Sequence, residues 1–360
     1  MPPGGATFGE NSVPPWTRGD FRGFRTLEQT HPALRNPREV FSRLHLRVTF
    51  PERGLSKETH ERHHRDSRTV QIIWPKAGCA GVTLSVPEGS IFALIGPNGA
   101  GKTTTIKTLV NILEPSSGEA TVLGTRSTKL GPAQFEQIGY VSENQELPDW
   151  MTVRQLLAYC KPMYPNWDDA FAESLLRQLD LEPQQRIKSL SRGMKVKAAL
   201  LSSLAFHPRL LILDEPFAGL DALVREEFIR GILELTGQDR WTVLMASHEI
   251  DEVERLADWI GILNKGHLEL CESVLSLQVR FRQIEVRVNE EVAWPSPLPA
   301  SWLLAERAAQ RLQFVETQYD PGENEKALRQ MFPMSQQVLA TPMSLKSIFL
   351  ALARTYRLAA

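Results

Sequence analysis

Cysteine is scarce in this sequence: its 360 residues include three, Cys79, Cys160 and Cys271. Cysteines so few and so widely spaced exclude a disulfide framework and a cysteine-ligated zinc site, and they favour a reducing compartment. Long apolar runs are missing too, because the most apolar stretches, residues 198–206 and 210–213, are separated by a His-Pro-Arg segment. A membrane-spanning helix needs about 20 consecutive apolar residues, so the sequence predicts no direct insertion into a membrane.

An excess of charge of either sign is also missing. The chain carries 41 Lys and Arg residues against 42 Asp and Glu residues, for a formal net charge of −1. This balance gives no overall electrostatic reason to bind nucleic acid, so no nucleic-acid partner is expected. The first twenty residues hold no apolar run, which predicts a cytoplasmic protein without a secretory signal. With 42% hydrophobic and 23% charged residues, the composition excludes a fibrous or largely disordered chain.

The sequence divides into three segments of different pattern. Residues 1–70 contain eleven Arg and one Lys against eight acidic residues, with several Pro and Gly, and are predicted to be mostly irregular. Residues 71–277 alternate short apolar runs with longer helical stretches, as in a parallel β-sheet covered by helices. Residues 278–360 return to alternating strands followed by helices, which predicts a small α+β appendage.

Four short apolar runs in the middle segment have the length and composition of buried strands. They are Ile91–Ile95, Ile138–Val141, Leu210–Leu213 and Thr242–Ser247. Between the second and third runs, the stretch Met151–Leu181 is predicted to be helical throughout, within a helical subdomain of about residues 144–200. In the appendage the pattern predicts strands at 283–288 and 311–317 and helices at 323–331 and 344–354.

A phosphate-binding loop follows the first of these strands. Residues 96–103 fit the pattern of Gly, four residues, Gly, Lys, and Ser or Thr, between a predicted strand and a predicted helix. The glycines allow successive backbone N–H groups to point at a polyphosphate, and the helix adds its positive N-terminal end. Lys102 is expected to bind the β- and γ-phosphates, and Thr103 to ligate Mg²⁺. The predicted nucleotide-binding residues of the loop are Gly96, Pro97, Asn98, Gly99, Ala100, Gly101, Lys102, Thr103 and Thr104.

Two adjacent carboxylates, Asp214 and Glu215, follow the strand at Leu210–Leu213. Because ligands of open α/β sheets bind at the carboxyl ends of the strands, both side chains are expected beside the phosphate-binding loop. Asp214 is suited to hold Mg²⁺, directly or through water. Glu215 is then free to orient and deprotonate an attacking water molecule, which makes it the predicted catalytic base.

Three further motifs complete the pattern: Leu190-Ser191-Arg192-Gly193-Met194, then Ala218-Gly219-Leu220-Asp221, and finally His248 after a strand. In this order and spacing the sequence resembles the ATP-binding subunits of ABC transporters over roughly residues 71–277. More narrowly, it is similar to the ATPases of bacterial exporters whose permease is a separate chain. The fold class implied is α/β, a P-loop NTPase of the ABC ATPase type with a helical subdomain, plus the C-terminal α+β appendage.

The resemblance implies a role for each motif. Ser191 and the amide of Gly193, at a helix N-terminus, are expected to bind the γ-phosphate of a nucleotide held by a second subunit. Asp221 is expected to reach across this dimer, and His248 to contact the γ-phosphate and the attacking water. The predicted catalytic residues are therefore Glu215, His248 and Lys102. The implied cofactors are ATP and Mg²⁺, and the implied partners are a membrane permease and a second ATPase subunit, identical or different. Such a protein is peripheral on the inner face of the cell membrane.

The sequence departs from the family pattern at three places. The family usually has Gln after the strand ending at Val141, whereas this chain has Glu143 there, with Gln145 two residues later. Glu143 is the predicted nucleotide-binding and Mg²⁺-binding residue, and Gln145 is the alternative. Arg192 stands where Gly is usual, and its charge lies either near the phosphates or in solvent. Trp74 is the candidate for stacking on adenine, in a segment that does not otherwise look like the family.

Two groups of side chains carry weaker signals. His60, His63 and His64 lie among arginines and polar residues, which favours a solvated loop over a transition-metal site. Several aromatic and Met side chains in the helical subdomain are expected to pack its own core, with one or two left exposed for a permease. These are Trp150, Tyr159, Met163, Tyr164 and Trp167.

Two other functions stay open at this point. A soluble ABC ATPase of DNA maintenance or translation usually carries a long coiled coil between the phosphate loop and the signature, zinc-binding cysteines or a second ATPase domain. All three are missing from this sequence. A regulatory relic that binds nucleotide with little turnover would follow from the atypical residues around Trp74.

Overall fold

The fold is taken from a computed structural model. It describes residues 70–73, 82–115, 118–143, 145–239, 241–288, 295, 297–308, 310–333 and 335–358. Trp74, the histidines at positions 60, 63 and 64, and nearly all of the Arg-rich segment 1–70 lie outside the described residues.

The main sheet has six strands, and several of the sequence motifs directly follow the ends of its strands. Its order is β10-β9-β3-β8-β7-β6, with five parallel strands and the antiparallel strand β10 at one edge. The strands are β3 (Ile91–Ile95), β6 (Ile138–Val141), β7 (Leu210–Asp214), β8 (Thr242–Ser247), β9 (Trp259–Asn264) and β10 (His267–Ser273). The four predicted strands are confirmed, and β7 extends to include Asp214.

Both faces of this sheet are buried, which is why its strands are continuous apolar runs. In β3, Phe92 and Leu94 face one hydrophobic cluster, whereas Ala93 and Ile95 face another. The second cluster is covered by helices on one side of the sheet. The α-helices up to residue 280 are α1 (Lys102–Leu109), α2 (Pro132–Phe135), α3 (Val153–Cys160), α4 (Asp169–Gln178), α5 (Arg192–Leu204), α6 (Ala222–Asp239), α7 (Ile250–Leu256) and α8 (Val274–Arg280).

A small antiparallel sheet packs on the other side. Its order is β2-β1-β4-β5, and its strands are β1 (Val70–Ile73), β2 (Thr83–Val86), β4 (Ala120–Val122) and β5 (Thr125–Arg126). Leu84 and Val86 of β2 share a buried cluster with Phe92, Leu94 and Ile106. This packing places α1, which follows the phosphate-binding loop, between the two sheets.

The stretch Met151–Leu181 is not one continuous helical region, so that prediction was wrong. α3 begins with Thr152, whose side chain accepts a hydrogen bond from Gln155 N, and α4 begins with Asp168, which does the same for Phe171 N. Prolines at 162 and 165 account for the break, because proline cannot donate to a preceding carbonyl of a continuing helix. Tyr164, in the break, stacks on Phe206 at a ring separation of 3.8 Å.

The C-terminal region contains a third sheet of four antiparallel strands in the order β12-β13-β11-β14. They are β11 (Arg282–Val288), β12 (Trp302–Ala308), β13 (Arg311–Glu316) and β14 (Ser335–Pro342), with helices α9 (Asn324–Met331) and α10 (Leu345–Leu358). The sequence pattern predicted β11, β13 and both helices but missed β12 and β14. The missed strands lie at the two edges of the sheet, where β14 is mostly exposed and lacks an apolar alternation.

Helix α10 packs against the part of the chain that contains the six-stranded sheet. Leu345 and Ile348 are fully buried in the same hydrophobic cluster as Val253 and Leu277. The backbone N–H of Leu345 also donates to Glu254 Oε1 of α7 at 2.7 Å. The domain boundary predicted after residue 277 falls inside α8 and stays a prediction about folding units. Every helix in the described parts of the chain is too short or too polar to cross a bilayer.

Candidate nucleotide site

The loop at residues 96–101 joins the end of β3 to α1 and depends on its glycines. At Gly96, a Cβ atom would lie 2.2 Å from the carbonyl oxygen of Leu263, so no other residue fits without moving β9. Gly99 and Gly101 have φ angles of +80° and +107°, in the left-handed region that favours glycine. The loop thus turns the chain sharply into the N-terminus of α1, the arrangement that binds phosphate groups.

Lys102, the first residue of α1, is buried and points back into this loop. Its ammonium group donates to the carbonyl oxygens of Gly96 at 2.8 Å and Pro97 at 3.3 Å. It also forms an ion pair of 3.1 Å with Glu215 Oε1, and both side chains are more than 90% buried. The positive charge is therefore held at the centre of the loop, where a polyphosphate would enter.

Asp214 and Thr103 form a pair of oxygen ligands at the end of β7. Thr103 Oγ1 donates to Asp214 Oδ1 at 3.0 Å. Burial raises the pKa of Asp214 above its usual range, and the hydrogen bond from Thr103 partly offsets this effect. A hydroxyl and a carboxylate oxygen side by side are ligands that Mg²⁺ prefers, so the residues present fit this metal ion.

Glu215 and His248 meet at the carboxyl ends of the neighbouring strands β7 and β8. Glu215 Oε2 accepts a hydrogen bond from His248 N at 3.2 Å and lies 2.7 Å from His248 Nδ1. Glu215 has a φ angle of +51°, which is unfavourable for a residue with a Cβ atom. Its N–H donates to Ala246 O at 2.9 Å, which ties this strained residue to β8.

These side chains surround one cavity of about 310 Å³. Its lining residues are Asn98, Gly99, Gly101, Lys102, Thr103, Thr104, Glu143, Glu215 and His248. The structure thus brings together residues from the phosphate-binding loop, the end of β7, the end of β8 and the segment after β6. Gly96, Pro97 and Ala100 lie in the same loop, and Asp214 reaches the cavity through Thr103.

Glu143, rather than Gln145, lines the cavity. The amide oxygen of Gln145 accepts from Ser142 N at 3.4 Å and so closes a local turn. Glu143 Oε1 lies 3.7 Å from Arg192 Nη2, in the first turn of α5. Of the two sequence candidates, the structure therefore puts the carboxylate at the nucleotide cavity.

Ser191, Gly193 and Asp221 lie outside the lining of this cavity. Ser191 is exposed and begins α5, where its Oγ accepts from Met194 N at 3.2 Å. Gly193 is buried against α6: a Cβ atom there would lie 3.0 Å from Val224 Cγ1. Asp221 is exposed at the start of α6, and its carboxylate accepts from Val224 N at 2.9 Å. Each is thus placed by a helix start or a helix contact in its own subunit.

Arg225 is a residue that the sequence reasoning missed. Its Nε donates to Leu220 O at 3.0 Å, and its Nη2 forms an ion pair of 3.2 Å with Glu249, the residue after His248. Arg225 therefore links the loop that carries Asp221 to the segment that carries His248. Its position one helical turn after Asp221 was the available sequence signal.

The sequence matches known proteins over the part that contains this site. A protein-family model described as ABC transporter matches residues 79–218. The ABC transporter ATP-binding protein YtrB of Bacillus subtilis is 30% identical over 218 residues, which cover 58% of this chain and 74% of YtrB. The osmoprotectant import ATP-binding protein OsmV of Salmonella typhimurium is 32% identical over 201 residues, covering 53% of this chain and 52% of OsmV.

Solved structures agree with this assignment. The structure of an ATP-binding subunit of an ABC transporter has a TM-score of 0.52 and 28% identity, covering 59% of this chain and 90% of that one. A bacterial ABC transporter cassette solved as a dimer has a TM-score of 0.50 at 22% identity, covering 57% of this chain and 95% of the cassette, and supports the fold alone. The chain belongs to the family of ABC transporter ATP-binding proteins, and it is an ATPase.

Proposed function

We propose that this subunit hydrolyses ATP at the interface of two ATPase subunits and so drives export through a separate membrane permease, on the inner face of the membrane. The observation that supports this most is the position of Glu215. Its carboxylate lies between Lys102 and His248 in the cavity that also contains the phosphate-binding loop. A carboxylate at this place can orient a water molecule toward the terminal phosphate and accept its proton.

Each residue group of the site has a separate role in binding the nucleotide. The backbone N–H groups of residues 96–101 and the N-terminus of α1 bind the phosphates, and Lys102 neutralises their charge. Thr103 and Asp214 hold Mg²⁺, which supplies further neutralisation of the phosphate oxygens. His248 donates or accepts a hydrogen bond beside the water held by Glu215. Trp74, although outside the described residues, is the proposed adenine-stacking residue.

Lys102 must exchange partners when nucleotide enters. In this structure it is bound to Glu215 and to two loop carbonyls. Phosphate oxygens compete for the same ammonium group and carry more negative charge than a single carboxylate. Release from Lys102 frees one oxygen of Glu215 to accept a proton. We propose that this exchange couples nucleotide binding to activation of the base.

A second subunit completes the site. Ser191, at the start of α5, is exposed, and neither Ser191 nor Gly193 lines the subunit's own cavity. The first N–H groups of a helix have no partner within the helix and are available to an anion. We propose that Ser191 and Gly193 N–H bind the γ-phosphate of the nucleotide held by the other subunit, and that exposed Asp221 contacts that subunit. The dimer consists of two copies of this chain or of this chain and a homologous subunit.

The permease is tested by capture from detergent-solubilised membranes with the full-length chain as bait. We expect recovery of a protein with several membrane-spanning segments, and exposed Trp150 in the helical subdomain is a candidate contact. Recovery of only ribosomes or DNA would instead indicate an ATPase of translation or DNA maintenance. A wild-type complex that binds ATP without turnover would indicate a regulatory protein.

The direction of transport needs a separate test, because OsmV is named as an import protein. The test uses membrane vesicles that carry the complex with its ATPase subunits on the outer surface. For an exporter, we expect candidate solutes added outside the vesicles to stimulate ATP hydrolysis. Stimulation only by solutes enclosed in the vesicles would show import.

A further inference from the structure

Glu143 and Arg192 face each other at the rim of the nucleotide cavity. Glu143 follows β6 and lines the cavity, and Arg192 lies in the first turn of α5, directly after Ser191. The distance between Glu143 Oε1 and Arg192 Nη2 is 3.7 Å. The two residues are distant in sequence, and each is one of the positions where the sequence departs from the usual motif.

Arg192 is also in contact with the loop that carries Asp221. At Gly219, whose φ angle is +70°, a Cβ atom would lie 2.7 Å from Arg192 Nη1. The guanidinium group therefore lies over the backbone of Gly219, with one edge toward Glu143. Arg192, at the start of α5, thus contacts two other segments: the one after β6, through Glu143, and the loop after β7, through Gly219.

The pair contributes little to the stability of the fold. Arg192 and Glu143 are 53% and 39% exposed, and exposed ion pairs stabilise proteins weakly. The pair matters more for the electrostatic charge at the rim of the cavity. Lys102 is already bound to Glu215, so loss of Arg192 would remove the positive charge beside Glu143 and leave its carboxylate more repulsive toward an incoming polyphosphate.

We infer that Arg192 is a positioning residue for nucleotide binding: it holds the Glu143 carboxylate at the rim of the cavity and neutralises its charge toward the phosphates. The inference rests on the proposed function, in which this cavity binds ATP. It assigns to Arg192 a task within its own subunit, separate from the contact proposed for Ser191 with the other subunit. Its effect acts through Glu143, and Arg192 does not line the cavity itself.

A double-mutant cycle tests the pair. The full-length wild type, Arg192→Gln, Glu143→Gln and the double variant are titrated with ATP by calorimetry, once with Mg²⁺ and once with EDTA. We expect Arg192→Gln to raise the Kd roughly three- to tenfold, with the larger factor in EDTA, because ATP without Mg²⁺ carries more negative charge. In EDTA, adding Glu143→Gln to Arg192→Gln should restore the Kd to within about twofold of the wild type, because the unneutralised carboxylate is then gone.

Two further variants control for structure. Arg192→Lys keeps the charge and should keep the wild-type Kd within about twofold, although its weaker geometry loosens the contact with Gly219. Lys195→Gln removes another cation one helical turn later, paired with Asp149 at 3.0 Å and away from the cavity, and should leave the Kd unchanged. Thermal unfolding of every variant checks that the fold is retained.

The inference is overturned by additive effects of the two substitutions, by equal effects of Arg192→Gln with and without Mg²⁺, or by a loss in Arg192→Lys as large as in Arg192→Gln. These titrations need neither a permease nor a dimer. If the wild type binds ATP and the effects of the two substitutions on the Kd are additive, only the inference about Arg192 is overturned. If the protein fails to dimerise or to bind a permease, only the proposed transport role is overturned. Lack of ATP binding by the wild type would overturn both.

Discussion

The carboxylate of Glu215 lies 2.7 Å from Nδ1 of His248, across the boundary between two neighbouring parallel strands. The other carboxylate oxygen is paired with Lys102 at 3.1 Å. Oε1 of Glu215 thus pairs with Lys102, which we expect to move to the phosphates when nucleotide binds. Oε2 pairs with His248, which we expect to remain in place. This arrangement makes Glu215 the side chain whose substitution separates nucleotide binding from hydrolysis.

Glu215→Gln should preserve ATP binding and lower turnover by about 100-fold or more, because the amide cannot accept the proton of the attacking water. An ATP-bound dimer should then accumulate, since the nucleotide that joins the subunits is not consumed. Light scattering coupled to size-exclusion chromatography measures the dimer, and phosphate release measures turnover. Unchanged turnover in this variant would place the catalytic base elsewhere.

A matched substitution controls for the loss of a carboxylate. Glu226 is exposed in α6 and paired with Arg255 at 2.7 Å, away from the cavity. Glu226→Gln removes the same charge by the same chemistry and should change turnover by less than about twofold, because exposed pairs contribute little. A comparable loss in both variants would mean that the effect of Glu215→Gln is general rather than local.

The position of the cavity residues was predictable from short motifs, because each motif sits where a strand ends. Residues 96–103 and Asp214-Glu215 follow apolar runs, and parallel strands bring their carboxyl ends to one edge of the sheet. The pairing of Lys102 with Glu215 and the left-handed backbone of Glu215 were not predictable. They depend on how the chain turns after β7 and bonds to Ala246, which no local pattern encodes.

The contacts between distant segments also could not be predicted from the sequence. Arg192 could lie in solvent or near phosphates on sequence grounds, and only the packing of α5 beside the segment after β6 brings it to Glu143. The edge strands β12 and β14 were missed because hydrogen bonding to β13 and β11 holds them, rather than their own apolar alternation. Local pattern therefore predicted the parallel core and its motifs, and long-range packing determined the remainder.

Asp214→Asn should raise the thermal stability of the nucleotide-free protein while lowering turnover by about 100-fold. Burial raises the pKa of Asp214 in the folded state, so the folded protein binds this proton more tightly than the unfolded chain does. Ionisation of Asp214 therefore costs stability at neutral pH, and this cost disappears as the pH falls through the raised pKa to below the unfolded value.

Thermal unfolding without Mg²⁺, measured from about pH 7 down to below the ordinary pKa of an Asp side chain, about 3.9, checks the sign of this effect. The gain of Asp214→Asn over the wild type should be largest at the higher pH and should shrink as the pH is lowered. A gain that grows toward acid pH, or a loss of stability at neutral pH, would contradict the raised pKa of Asp214.

Gly96→Ala should destabilise the fold by about 1–3 kcal/mol, because its Cβ atom would meet the backbone oxygen of Leu263 at 2.2 Å. Either β9 or the phosphate-binding loop has to move, so ATP binding should weaken as well. Gly231→Ala is the matched control, since a Cβ atom in that part of α6 meets nothing within 4 Å. It should stabilise the protein by about 0.5–1 kcal/mol through helix propensity, and chemical denaturation measures both.

Ile348→Ala tests whether the C-terminal helix α10 folds with the ATPase part. Ile348 is fully buried in the cluster that contains Val253 of α7, and the cavity left by alanine should cost about 2–5 kcal/mol. Lys346→Gln, which removes an exposed ion pair of 2.8 Å with Asp251, should cost less than about 1 kcal/mol. If α10 folds together with the ATPase part, hydrogen exchange in Ile348→Ala should become faster along α7, close to His248, as well as in α10. Faster exchange confined to α10 would show that the C-terminal region unfolds by itself.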